Sequence, residues 1–356
     1  MHPGFQKGVM SMKKALITGG TGFFGSLLKT ALVEKGYFCV SIDLEKDDAV
    51  CENLLTIQGD IRNGEQMNEL FKTHKFDVIF HCAAILAHAV KDKNHLWTSN
   101  VNGTQIIADM ARKFNVANIV FTSSNCLWAQ NFHRPVLETD IPNPVEIYGK
   151  SKLEGEKILL ACSPQVNSVI IRCPTIIDSG RLGLLAILFE FIDEGRKVWV
   201  VGGGENRYQF IYAQDLITAC LKAAGHNRTD IFNIGSENVK TFKEVYNYVI
   251  QKAGTKARVA SLPKKLAIFA MKTAYALGLS PLGPYQYKMI AEDFEFDISK
   301  IKQTFNWSPT MTNEEILYKA YQYYHDNRND IDSRTNVSAH KQAAKMGVIR
   351  LLKWMS

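Results

Sequence analysis

Three residues have the types and spacing to move a proton and hold an oxygen during the chemistry of an alcohol: Ser124, Tyr148 and Lys152. Tyr148 and Lys152 stand four apart, so on a helix the phenol and the ammonium share one face. A cation beside a phenol stabilises the phenolate and lowers its pKa. A phenol tuned toward neutrality can take or give a proton at an alcohol or carbonyl oxygen. A plain pair on a helix surface would show the same spacing, so the pair needs a context. Ser123-Ser124 closes an apolar run, with Ser124 lying 24 residues upstream of Tyr148, where a hydroxyl could bind the same substrate oxygen. What this set lacks is a hydride acceptor, which a nicotinamide cofactor would supply.

A place for such a cofactor stands near the start of the chain. Residues Thr18 to Gly25 read TGGTGFFG, following the apolar run Ala15-Leu16-Ile17 and preceding an amphipathic stretch with Leu27, Leu28, Ala31 and Leu32. Strand, tight turn and helix start are implied. Glycine at 19, 22 and 25 lets the backbone approach a pyrophosphate at the helix N-terminus. Asp43 ends a second apolar run eighteen residues past Gly25, where a carboxylate reaches a ribose 2′-OH. A solvated strand end is the alternative reading of Asp43.

Further elements alternate along the chain. Strands are expected at 54–58, 77–81, 118–122 and 168–172, with helices at 64–73, about 94–114 and 147–161. This pattern predicts an α/β protein with a parallel sheet covered on both faces. Gly19, Asp43, Asp60, Ala83 and Ser123-Ser124 all fall at carboxyl ends of strands, where ligands sit on such sheets. Beyond Arg172 the rhythm changes. A helix over about 182–194, short strands at 198–201, 210–212 and 231–234, a helix at 215–224 and mostly helix to about 327 describe a smaller, irregular region covering the strand ends.

Composition excludes other classes. The 356 residues carry a net charge of +7, and four of the positives lie in the last sixteen residues, so a basic nucleic-acid face is not expected. No window of 18 apolar residues lacks a charge, and the first eleven residues read as a loose leader without an apolar signal core. The seven cysteines include no CxxC pair and read as reduced thiols, most within apolar runs, in a cytoplasmic protein; no metal site is expected.

Taken together, TGGTGFFG, Asp60-Ile61, Cys82-Ala83-Ala84, the stretch NVNGT at 100–104, Ser124, and Tyr148 with Lys152 make the chain, over about 12–325, resemble the extended short-chain dehydrogenases/reductases. That family holds nucleotide-sugar epimerases and dehydratases as well as 3β-hydroxysteroid dehydrogenases. The resemblance implies a Rossmann-type doubly wound parallel sheet with a smaller, mostly helical C-terminal substrate domain. The cofactor domain would span 12–180 with a return segment at about 204–236. The substrate domain would span 181–203 and 237–327, and 328–356 would be a polar linker and tail. Tyr148 would be the acid/base, Lys152 would lower its pKa and hold the nicotinamide ribose, and Ser124 would orient the substrate oxygen. The cofactor would be NAD, because Asp43 would repel a 2′-phosphate. Its contacts would come from Gly19, Gly22, Phe23, Phe24, Gly25, Asp43, Leu44, Asp60, Ile61, Cys82, Ala83, Ala84, Asn100, Ser123, Tyr148, Lys152 and Pro174. Ile85, Ser124, Asn125, Thr175, Arg207 and Tyr208 would meet the substrate.

The chain departs from the family's patterns in ways that bear on the substrate. Asn125 and Cys126 stand where 4,6-dehydratases have an Asp-Glu pair, which disfavours dehydration. Thr175 stands where the epimerases have an Asn that grips the nucleotide diphosphate. Tyr208 occupies the register of their diphosphate-binding Arg, with Arg207 one place earlier, and a one-residue offset at a strand entry can turn a side chain to the other face. Trp128 replaces a usual Tyr, suggesting an altered pocket wall. His88 and His95, within or at the end of the 85–95 segment, could touch a ligand but read better as surface histidines.

The expected function is that of an NAD-dependent epimerase or oxidoreductase acting on a secondary alcohol, foremost that of a nucleotide-activated sugar. The alternative is a net dehydrogenase or ketoreductase on an apolar alcohol, like the steroid-active relatives. A non-catalytic NAD-sensing protein is the third reading, and the retained Ser124, Tyr148 and Lys152 argue against it. Relatives often pair their helices near 94–114 and 147–161, so a homodimer is expected. The tail from Ser338 to Ser356 is basic and moderately amphipathic; it could lie in an anionic membrane interface, or dock on its own domain or a second subunit.

Overall fold

The computed structural model describes residues 12–86, 92–128, 131–277 and 289–333. The N-terminal half follows the alternation expected of it. Its elements are β1 (Lys14–Thr18), α1 (Phe23–Glu34), β2 (Phe38–Asp43), β3 (Leu54–Gln58), α2 (Gly64–Thr73), β4 (Val78–His81), α3 (Lys93–Trp97), α4 (Gly103–Lys113), β5 (Asn118–Ser124), α5 (Ile147–Leu160) and β6 (Asn167–Cys173). The later elements are β7 (Thr175–Ile177), α6 (Leu185–Asp193), β8 (Lys197–Val201), β9 (Phe210–Tyr212), α7 (Ala213–Ala223), β10 (Asp230–Asn233), α8 (Phe242–Ala253), β11 (Arg258–Leu262), α9 (Lys264–Ala276), α10 (Ser299–Phe305), α11 (Asn313–Asp326) and α12 (Arg328–Ser333).

Seven strands form one sheet in the order β10-β6-β5-β4-β1-β2-β3, with every pairing parallel. This is the Rossmann-type doubly wound arrangement. Its strand order reverses between β1 and β4, which opens a crevice at their carboxyl ends. The central strands are buried along their length, as both-face coverage requires: β4 and β5 expose no residue. One face packs Leu28 and Leu32 of α1 and Leu216 and Cys220 of α7 against Ile17, Phe80 and Ile171. The other packs Met67 and Phe71 of α2 and Ile107 of α4 against Leu16, Ile79 and Phe121.

A second apolar cluster lies in the C-terminal half, where Phe189 of α6, Val249 of α8 and Ile316 and Tyr321 of α11 meet. Two parallel strand pairs, β7–β9 and β8–β11, accompany it. β7 and β11 were not expected from the sequence. Each is short, and each forms only because a partner more than thirty residues away offers a free edge. The helix expected over 94–114 carries a π-helical turn, Thr98–Asn102, between α3 and α4. Such turns re-aim side chains, often at functional sites; here the re-aimed residue is Asn100.

Candidate active site

The glycine turn between β1 and α1 is shaped by contact. Gly19 takes φ +78°, and a Cβ there would meet the Ala83 backbone at 2.7 Å. At Gly25 a Cβ would meet the Gly19 carbonyl oxygen at 2.0 Å, so helix and turn close only without side chains. No side chain caps the α1 N-terminus at Gly22, leaving its first backbone N–H groups to an anion. Asp43 Oδ2 accepts from the Thr21 N–H at 3.0 Å and Oδ1 from the Glu45 N–H at 3.2 Å, which ties the end of β2 to the turn.

A cavity of about 250 Å³ opens on this turn. Its lining includes Gly19, Gly22, Phe23, Phe24 and Gly25 of the turn and helix start, Cys82, Ala84 and Leu86 after β4, and Ser123, Ser124, Asn125, Tyr148, Lys152, Pro174 and Thr175. The Ser123 Oγ is buried with no hydrogen-bond partner among the described residues. The glycine cradle, the uncapped helix end, Asp43 and this orphaned hydroxyl fit a dinucleotide cofactor.

Ser124 is held at the end of β5, where its Oγ accepts from the Cys126 N–H at 3.1 Å, and it lines the cavity together with Tyr148. Tyr148 lies in the first turn of α5. The next residue, Gly149, lets that turn press on the Cys126 carbonyl, which a Cβ would meet at 2.3 Å. One turn further on, Lys152 is buried with its Nζ 3.9 Å from the centre of the Phe121 ring. Burial pulls this ammonium down to about 8, opposed by the neighbouring Cys173, Cys82, Glu156 and Cys126. The expected lowering of the Tyr148 pKa by Lys152 is corrected here. Burial pushes the phenol well above its ordinary value, and the groups pulling it down are Arg181 and Ser124. Removing a phenolate from water costs more than one partner restores.

Other expected contacts are spent differently. Asn100 Oδ1 accepts from the Ile85 N–H at 2.7 Å, while its Nδ2 donates to the Ile85 carbonyl and to Ser151 Oγ, both at 3.0 Å. It therefore positions the segment after β4, and Ile85 presents its backbone to Asn100 while Ala84 and Leu86 line the cavity. Asp60 makes a bidentate pair with Arg62, which also reaches His95 Nδ1 at 3.0 Å and Thr98 Oγ1 at 3.1 Å. That pair holds the Asp60 carboxyl below its ordinary range. His95 thus serves this cluster; His88 lies outside the described residues, as does the tail from 338. Ile61 packs under Gly103, and Leu44 is exposed beyond the end of β2.

Arg207 and Tyr208 face different ways. Tyr208 is buried, and Asn125 Nδ2 donates to its hydroxyl at 2.5 Å. Arg207 is exposed on a separate cleft with Arg134, Asp293 and Glu295, so the expectation that it meets substrate in the catalytic cavity is corrected. Successive residues entering a strand point to opposite faces. Trp128 is also corrected as a wall residue: it is buried against Phe296 beneath the Arg172 guanidinium. Sequence reading missed Arg181, whose guanidinium lies 5.5 Å from the Phe23 ring centre on the cavity wall. Its only sequence signal was a basic residue beside Gly180 in the loop after β7. Neutral His81, with its pKa held near 3 by burial, bridges Thr18 and Thr104 beneath the site.

Fold and cavity together define an enzyme of the dinucleotide-dependent α/β class, with a serine, a tyrosine and a lysine beside the cofactor cradle. The model of the NAD dependent epimerase/dehydratase family matches residues 15–235, and the chain belongs to that family, with NAD as its cofactor. A protein of Sinorhizobium fredii, Uncharacterized protein y4nG, is 34% identical over 345 residues, covering 96% of this chain and 86% of that one. The UDP-glucose 4-epimerase of Halalkalibacterium halodurans is 27% identical over 309 residues, covering 77% and 92%. Among solved structures, UDP-glucose 4-epimerase of Thermotoga maritima with UDP-glucose superimposes with a TM-score of 0.73 at 23% identity, covering 88% of this chain and 99% of that one.

Proposed function

We propose that the protein is a nucleotide-sugar epimerase, in which Tyr148 exchanges a proton with a secondary hydroxyl of the sugar while its carbon exchanges hydride. The observation that carries this reading is that Ser124, Tyr148 and Lys152 line the same cavity as the glycine turn. Bound NAD, seated by the glycine turn, would supply the hydride acceptor. Ser124 holds the substrate oxygen. Tyr148 receives its proton during oxidation and returns one during reduction. Lys152, charged below about pH 8, would hold the cofactor ribose one helical turn from Tyr148. Gly19, Gly22, Gly25 and the α1 N-terminus would seat the pyrophosphate, and Asp43 the adenine-side ribose. Thr175, Asn125 and Arg181, which all line the cavity, would meet the substrate. Residues 12–180 and 204–236 would then hold the cofactor, while 181–203 and 237–327 would cover the sugar.

The protein incubated with NAD and UDP-sugars should yield the 4-epimer, seen by proton NMR, without stoichiometric NADH at 340 nm. A second reading, a net dehydrogenase on an apolar alcohol, is favoured by one observation: Arg207 is turned away and Tyr208 is buried against Asn125, so the phosphates lose an expected cation. NADH accumulating in step with a ketone product would select it and end the epimerase reading.

A further inference from the structure

Between Glu244 and Glu292 the chain has no acidic residue and seven lysines and arginines. Helix α9 lies within this stretch. Its inner side, through Ala267 and Met271, packs on Val201 and Ala291. At 100° per residue, Leu266, Phe269, Ala270, Thr273 and the C-cap Leu277 fall on an arc of about 100°. That arc faces solvent: Leu266 is 64% exposed, Phe269 69% and Leu277 67%. Lys265 and Lys272 border it along one edge and are themselves exposed, while Lys264 leans back to Glu292 at 3.5 Å.

An exposed apolar stripe of this kind on a folded surface marks an interaction site. Charge decides what fits. A second copy of the helix laid across the stripe would bring four lysines together with no acid on either helix. An anionic lipid surface complements both the stripe and the lysines, as for helices that lie in the interface plane. We propose that α9 docks the protein on anionic bilayers, with Leu266, Phe269 and Leu277 entering the headgroup boundary and Lys265 and Lys272 at the phosphates. Ile290 and Ala291 pack against the inner side of α9, and next to them the Met289 sulfur lies 4.0 Å from Thr175 Oγ1 on the cavity wall. The proposal is independent of which alcohol the enzyme oxidises.

The test uses the full chain and co-sedimentation with phosphatidylcholine vesicles, with and without phosphatidylglycerol. NAD binding by fluorescence reports that each variant is folded. The parent should bind the anionic vesicles, and a Leu266→Ser/Phe269→Ser/Leu277→Ser variant with intact NAD binding should partition about tenfold less or weaker still. Lys265→Glu/Lys272→Glu should reduce the preference for phosphatidylglycerol. Because the basic C-terminal tail is identical in all these proteins, undiminished partitioning of the triple serine variant overturns the proposal. So does absence of binding by the parent, or a triple variant whose only change is conversion of a dimer to a monomer in light scattering.

Discussion

Glu156 on the catalytic helix and Arg172 on β6 form a buried ion pair, with Arg172 Nη2 2.7 Å from Glu156 Oε2 and Nε 3.0 Å from Oε1. Their side chains are 1% and 4% exposed, and Arg172 Nη1 also donates to the Glu138 carbonyl at 3.0 Å. The pair fixes the helix that carries Tyr148 and Lys152 against the strand that ends at the cavity. Removing one partner strands the other charge out of water. Glu156→Gln should cost about 3–5 kcal/mol of stability, read from urea midpoints, and lower kcat as α5 loosens. Replacing both residues by well-packed apolar ones should recover much of the stability.

Tyr148→Phe keeps the ring and removes only the hydroxyl that carries the exchangeable proton. Turnover should fall by about 10²–10⁴-fold, with NAD affinity nearly unchanged by titration. Ser124→Ala should lose less, because Tyr148 would still reach the substrate oxygen. Unchanged turnover in Tyr148→Phe would remove Tyr148 from the chemistry.

Lys152 sets a pH dependence. Burial lowers its folded-state pKa from 10.5 to about 8, so the folded protein loses this proton first as pH rises. Activity that needs the ammonium should decline above about pH 8 in kcat/KM profiles. Stability should move the other way. Between about pH 8 and 10.5 the unfolded chain binds more proton than the folded one at this site, so its contribution to stability rises with pH across that window. Lys152→Met should abolish that part of the stability slope in urea melts at stepped pH.

Asp43 should set the cofactor preference. Its carboxylate stands at the end of β2 and is bound to the Thr21 and Glu45 N–H groups. Asp43→Ala should weaken NAD by about tenfold while NADP gains relative to it, since a charge that repels a 2′-phosphate is gone. Equal losses for both cofactors in calorimetric titrations would mean that Asp43 only shapes the turn.

Much of this was legible in the sequence because it is local. TGGTGFFG specifies a strand, a turn and a helix start through residues that touch within the turn, and Asp43 follows at a spacing set by one helix and one strand. Tyr148 and Lys152 meet through the helical repeat itself. What the sequence left undecided depends on residues far apart in the chain. Glu156 meets Arg172, and Asn125 meets Tyr208, only after the sheet and the second lobe have assembled. Arg207 and Tyr208 are adjacent, yet the strand they enter sends one to an outer cleft and the other into the core. The pKa of Tyr148 reversed its expected direction for the same reason. Spacing brings an ammonium to within one turn of the phenol, but only tertiary packing decides how much water is left around it, and here the loss of water outweighs the nearby charges.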